Sequence, residues 1–298
     1  MTLDHRIRLA AFRWLGEQVS IHGDVLPRKL LERGFEFEGK RIALISPSGI
    51  FRPRGMDYPL TITTAPEGPY DDSFSQEGYV LYRYRGTDPA HRDNAGLRDA
   101  YRNRIPLVYF HGVVPGKYLA AWPVYIIADD PARLTFTVAV DVLRDPVQGA
   151  AYPAPDENVL RRKYITSEIR VRLHQRGFRE KVIAAYRSQC AFCRLKYGEL
   201  LDAAHIIPDN EPDSRPTIDN GMALCKLHHA AFDSFMVGVD PNFRIHVRPD
   251  VLEEEDGPML VHGLKDLQGG RIILPRAEHH WPNRDYLDRR YQRFRAYA

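Results

Sequence analysis

Cys190-Ala-Phe-Cys193 and Cys225-Lys-Leu-His228 form two short knuckles, C-x2-C and C-x2-H. Thiolate and imidazole are donors that a tetrahedral zinc ion prefers, and a two-residue gap lets one tight turn aim both ligands at a single ion. The chain has three cysteines, all used by this pairing, and an odd count argues against a disulfide framework. The plainer account is separately buried cysteines acting as small hydrophobes. Two knuckles together favour the metal. Four protein ligands leave no open coordination position, so the expected zinc is structural.

Between and just after the knuckles runs LLDAAHIIPDNEPDSRPTIDNGMALCKLHHAAFDSF. In the order and spacing of His205, Asn220 and His229, this stretch resembles the HNH nuclease family over about residues 177–246. The resemblance implies a zinc-stapled ββα-metal module in which a hairpin and a helix enclose one divalent cation. Phosphodiester hydrolysis needs a water stripped of its proton, and an imidazole titrating near neutrality suits that task. His205, on the strand-like Ala-Ala-His-Ile-Ile, is the expected general base. Asn220, opening the helix-leading segment NGMALC, is implied to orient that imidazole through a carbonyl hydrogen bond. His229 is the expected ligand of the catalytic cation, magnesium or manganese, which would polarise the phosphate and stabilise the departing 3′ oxygen.

One position departs from the family, which usually has Asp or His directly before the base, where this chain has Ala204. Strand alternation puts residue 202 on the face of residue 204, which makes Asp202 the favoured replacement ligand. Asp233 is the other candidate, one helical turn beyond His229, with a salt-bridge role as its alternative. His279 and His280 lie beyond the motif and read as surface residues.

These groups need elements to position them. Apolar Ile7, Ala11, Trp14, Leu15 and Val19 recur at helical spacing over residues 5–20, with Phe12 at the edge of that face. A short helix is expected at Pro27–Arg33, and strand-like sequence broken by Pro and Gly from Arg41 to Thr64. Further strands are expected at Tyr79–Arg85, Leu107–Phe110, Trp122–Ala128 and Leu134–Val140. Short strands at this spacing suggest a curved sheet or barrel and not a βαβ array. Residues 145–159 carry Pro146, Gly149, Pro153 and Pro155 with few apolar anchors and read as a linker. Two domains follow, 1–150 and 151–298, in an α+β protein.

The chain is long enough for two cores. Its net charge of +3 is too small to establish a nucleic-acid partner. The local excess from Arg161 to Arg187 could neutralise phosphates, although a solvated helix face explains it equally well. No stretch reaches the roughly 20 apolar residues of a membrane span, and the start has no signal-peptide core. A cytoplasmic location without a membrane partner is expected.

Residues 70–140 resemble an SRA domain, the fold that reads 5-methylcytosine by flipping it from the duplex. The resemblance rests on Pro69–Asp72, the strand Tyr79–Gly86, Asn94 followed by a helix, and IPLVYFHG. A flipped base needs aromatic faces to stack on and acceptors along its Watson–Crick edge. Tyr70 and Tyr84 are the expected stacking pair, with Tyr82 a second possibility, and Asp71 or Asp72 the acceptor of the exocyclic amine. Ordinary sheet packing of tyrosines and turn chemistry of an Asp pair are the alternatives. The segment Gly49–Thr64 also resembles one that recurs in HNH restriction enzymes, without a chemical role.

SRA and HNH modules in one chain resemble the modification-dependent restriction endonucleases, of type IV or type IIM-like character. That implies a metal-dependent endodeoxyribonuclease acting on double-stranded DNA with modified cytosine. One HNH site cuts one strand, so a double-strand break implies a homodimer or two nicks. The rivals are an HNH endonuclease acting on unmodified DNA and a modified-DNA reader that does not cut.

Overall fold

A computed structural model describes residues 2–65, 79–140, 175–255 and 257–297. The chain divides into two compact units, Met1–Leu173 and His174–Ala298. The expected linker, with residues 141–174, lies outside the described residues, as do Tyr70, Asp71 and Asp72. Among the described residues no helix is long and apolar enough to cross a membrane.

The first unit opens with α1 (Leu3–His22), whose first turn is capped by the Thr2 hydroxyl accepting from the His5 amide at 3.3 Å. Ile7, Ala11, Phe12 and Leu15 form its buried face, while Trp14 and Val19 are only partly covered. The helix stops at Gly23, with φ of 77°. A strand β1 (Val25–Pro27), a short helix α2 (Arg28–Arg33) and a hairpin of β2 (Phe35–Phe37) and β3 (Lys40–Ile42) follow. Pro27 ends the strand instead of opening the helix.

The main sheet comprises β1, β4 (Ile50–Phe51), β5 (Thr61–Thr64), β6 (Val80–Arg83), β7 (Leu107–Val114), β8 (Lys117–Asp130) and β9 (Thr135–Val140). Its order is β4-β5-β7-β8-β9-β6, with β1 beside β8, and only β5–β7 is parallel. Between Arg41 and Thr64, much of the expected strand is loop, as Pro47, Pro53 and Pro59 withhold ladder donors. β7 and β8 are longer than expected, because Gly116, at φ 79°, closes them into one hairpin.

Alternation along β7 sends Leu107 and Tyr109 into one core and Val108 and Phe110 into the other. α1 and α2 cover the second face, and helix α3 (Arg92–Arg102) packs Leu97 and Ala100 into the first. The sheet is curled like a half-barrel. The Tyr82 hydroxyl on β6, at one end of the strand order, reaches the Thr63 carbonyl on β5, near the other, at 3.5 Å.

The second unit begins with a helical stretch, α4, over residues 175–185. An antiparallel hairpin, β10 (Leu201–His205) and β11 (Gly221–Cys225), pairs His205 with Gly221 and Leu201 with Cys225. Helix α5 (Lys226–Asp233) follows directly, then the β12 (Val237–Val239) and β13 (Ile245–Val247) hairpin. Two short helices, α6 (Pro249–Glu253) and α7 (Pro258–Gly263), lead to α8 (Arg284–Tyr297). Asn220 ends a short 3-10 turn, the rest of the NGMALC segment is a strand, and all five residues of β11 are buried. Gly221 is required by packing: a Cβ there would sit 2.6 Å from Val182 and 2.7 Å from Phe178 on α4.

Candidate functional site

Cys190 and Cys193 lie on a turn beside the hairpin, while Cys225 ends β11 and His228 falls in the first turn of α5. Their four donor atoms all lie within 4.8 Å of one another. His228 Nδ1 is 3.4 Å from Cys190 Sγ and 3.2 Å from Cys225 Sγ, and the Cys193 and Cys225 sulfurs are 4.0 Å apart. A tetrahedral ion with bonds of about 2.0–2.3 Å separates such donors by roughly 3.6–3.8 Å, so the cluster could hold one metal ion. His228 Nε2 lies 2.7 Å from the Gly263 carbonyl. A proton there, donated to that carbonyl, leaves Nδ1 free to ligate.

Next to His228 on α5, His229 lies between two carboxylates. Its Nδ1 is 3.6 Å from Asp202 Oδ2 and its Nε2 is 3.1 Å from Asp233 Oδ2. Hydrogen bonds to Asp202 and Asp233 push its pKa up to about 9. Asp202 is held below the usual carboxylate range, first by the His229 hydrogen bond and further by the Ala203 amide and Arg179. Burial pulls Asp233 up, but the hydrogen bond and charge of His229, with Arg290, bring it below its ordinary value. The two carboxylates therefore occupy opposite edges of one imidazole. A single cation on one nitrogen would be shared with one of them, and the other would hold the ring from behind.

His205 ends β10 with its ring stacked on Phe178 of α4, centroids 4.0 Å apart and planes 12° apart. Burial lowers its pKa, and the nearby charges of Asp209, Asp233 and Asp202 partly restore it. A neutral imidazole beside carboxylates is equipped to accept a proton.

Asn220 differs from expectation. It is fully buried, and its side-chain oxygen accepts from the Ile207 amide at 2.8 Å. Its side-chain nitrogen donates to the Ile207 carbonyl at 3.2 Å, the Ser214 hydroxyl at 3.3 Å and the Arg215 carbonyl at 3.0 Å. These bonds tie together the loop between β10 and β11 and do not reach the His205 ring. Asn220 thus sets the direction of the chain leaving His205. Asn220→Ala should lower stability by about 2–4 kcal/mol, since buried loop groups lose their partners; urea unfolding followed by tryptophan fluorescence measures this.

In the first unit, Tyr84 is 1% exposed and stacks on Phe136 at 4.5 Å. Its hydroxyl bonds to Asp129 and accepts from Arg98 at 3.1 Å. The ring is thus a core residue, where the SRA resemblance implies a wall for a base. Tyr82 is also buried, with its hydroxyl turned toward Thr63. Asn94, fully buried, accepts from the Arg85 amide and donates to the Arg85 and Asp88 carbonyls, fixing the loop after β6.

Several neighbours of His205 and His229 escaped the sequence reading. Arg179, on α4, lies 3.4 Å from Asp202 and donates to the Leu201 carbonyl at 2.7 Å. Asp209 acts on His205 by charge, and its Pro-Asp setting reads as ordinary turn chemistry. Arg290 comes from α8, far along the chain. Of the expected surface histidines, His279 is exposed and His280 half-buried.

Residues 190–240, within the second unit, match a protein family described as HNH endonuclease. Among solved structures, the chain is similar to that of the modification-dependent TagI restriction endonuclease. The identity is 14%, over 80% of this chain and 82% of that chain, with a TM-score of 0.32. No curated protein matches the chain.

Proposed function

We propose that the protein is a metal-dependent DNA endonuclease whose second unit hydrolyses phosphodiester bonds and whose first unit reads a modified cytosine. The observation that carries the nuclease half is the grouping of His205 with His229 and Asp233 inside the segment that matches the HNH family. His205 takes the proton of the attacking water. His229 and Asp233 would hold a magnesium or manganese ion, with Asp202 steadying the His229 ring from its other edge. When bound, that cation supplies charge stabilisation for the scissile phosphate and the departing 3′ oxygen. Asn220 fixes the loop that aims His205. Cys190, Cys193, Cys225 and His228 would hold a structural zinc, supported by a sulfur-rich donor set gathered within 4.8 Å.

The reading half rests on the SRA resemblance and on the curled sheet. The residues proposed to meet a flipped 5-methylcytosine or related base are Tyr70 and one of Asp71 and Asp72, while Tyr82 and Tyr84 are core side chains. Partners are double-stranded DNA and, for double-strand cleavage, a second copy of the chain, in the cytoplasm.

Paired plasmids, one carrying 5-methylcytosine and one unmodified, incubated with magnesium or manganese, test both halves. Cleavage of the methylated plasmid alone is the expected result. Equal cleavage keeps the nuclease and removes the base pocket. No cleavage of either, with zinc retained, removes the nuclease.

A further inference from the structure

We propose that Arg290, on α8, is a positioning residue for the hydrolytic site, acting through Asp233 and through the chain segment that follows His205. The proposal rests on the nuclease reading above and extends the site beyond the residues that match the HNH family, which end at 240.

The guanidinium has three acceptors, one just after His205 and two at the end of α5. Nη1 donates to the carbonyl of Ile206, the residue after His205, at 3.2 Å. Nη2 donates to the Phe232 carbonyl near the end of α5 at 2.9 Å and to Asp233 Oδ1 at 3.2 Å. Asp233 is therefore gripped by both oxygens, Oδ1 by Arg290 and Oδ2 by His229. Its carboxylate is fixed in orientation before any cation arrives, which a planar, forked donor does better than a point charge. The guanidinium also lies 3.9 Å from the centroid of the Phe232 ring, so its plane is set by packing as well as by hydrogen bonds.

Helix docking alone does not account for this arrangement. The Arg290 side chain is 7% exposed, and its Nε is buried without a hydrogen-bond partner. A buried ion of this kind is a poor source of stability, and an apolar side chain of similar volume often serves a core as well. The neighbouring Arg289 and Arg293 pair with Glu211 on the loop after His205, but both are over 40% exposed and act as ordinary surface pairs. Arg290 differs in touching both the residue that directly follows the base and the carboxylate beside His229.

The test compares wild type, Arg290→Met and Arg290→Lys in the full chain. Folding is followed by thermal melting and zinc content. Mn2+ affinity is followed by electron paramagnetic resonance without DNA, and kcat and KM by plasmid nicking. Arg290→Met should keep its zinc and its cooperative melt. It should bind Mn2+ at least about ten-fold more weakly and lose about 100-fold in kcat, the scale of a small misplacement of catalytic groups, with KM little changed. Arg290→Lys, which keeps the charge but not the fork, should recover part of both losses. Wild-type Mn2+ affinity and kcat in a folded Arg290→Met would overturn the proposal, as would losses in proportion to its unfolded fraction. No Mn2+ binding by the wild type would also overturn it. If Arg290→Met does not fold, Arg290→Lys decides: reduced Mn2+ affinity and kcat at an unchanged melt support the role, and wild-type values refute it. A wild type that nicks no DNA, yet loses Mn2+ on Arg290→Met, would refute the nuclease reading and leave the positioning of Asp233 standing.

Discussion

His205→Ala lowers the single-turnover nicking rate by about 10²–10⁴-fold, the usual contribution of a general base, with DNA affinity and zinc content unchanged. The residue has the surroundings of a proton acceptor. Phe178 covers one face of the ring, and burial holds its pKa below the ordinary 6.5. The sign of the pH dependence follows. A base acts in its deprotonated form, so the acid limb of kcat/KM falls below pH 6.5 and the enzyme keeps most of its rate at that pH. Linkage gives the same direction for stability. The unfolded chain binds the proton more readily, so the contribution of neutral His205 is present above 6.5 and is lost as pH falls toward its folded value. An acid limb centred above pH 7, or a His205→Ala protein that nicks as fast as wild type, would remove His205 from the role.

Cys225→Ser should release the zinc proposed for the Cys190, Cys193, Cys225 and His228 cluster and abolish the cooperative unfolding of the second unit. Cys225 pairs with Leu201 at the end of β11 and directly precedes α5, so its sulfur joins hairpin, helix and metal cluster. The cluster also ties down Gly263 through His228 Nε2. Structural zinc is worth roughly 10–16 kcal/mol in small zinc modules, as much as the whole stability of many domains. The variant should therefore contain no zinc by elemental analysis and show one melting transition fewer. A zinc-free protein melting within about 2 °C of wild type would show the cluster to be dispensable.

The parts of the site that could be read from the sequence are those whose partners are local. Cys190 with Cys193, and Cys225 with His228, declare themselves by a two-residue gap, and the structure gathers all four. His229 and Asp233 are one helical turn apart, and the structure brings them to 3.1 Å. Arg290 could not be read, because its acceptors at 206, 232 and 233 depend on how α8 docks, and no spacing encodes that. Phe178 was equally hidden, because its contact with His205 needs α4 to cross the hairpin at Gly221. Tyr84 shows a different limit. Alternation tells which face of a strand a side chain takes but not whether that face is already filled, and here Phe136 and the Arg98–Asp129 pair fill it. For Asn220 the residue was legible and the partner was not, because four loop groups satisfy its amide before the imidazole could.

Asn220 is followed by Gly221, the pairing most prone to spontaneous deamidation, in which the glycine amide nitrogen attacks the side-chain carbonyl carbon and ammonia leaves. The fold blocks that reaction. The side-chain oxygen and nitrogen are both engaged, and the Gly221 amide donates to the Ile218 carbonyl at the start of a strand buried along its length. The hairpin thus works as a chemical preservative. A chain that spends time unfolded loses both of these restraints at Asn220.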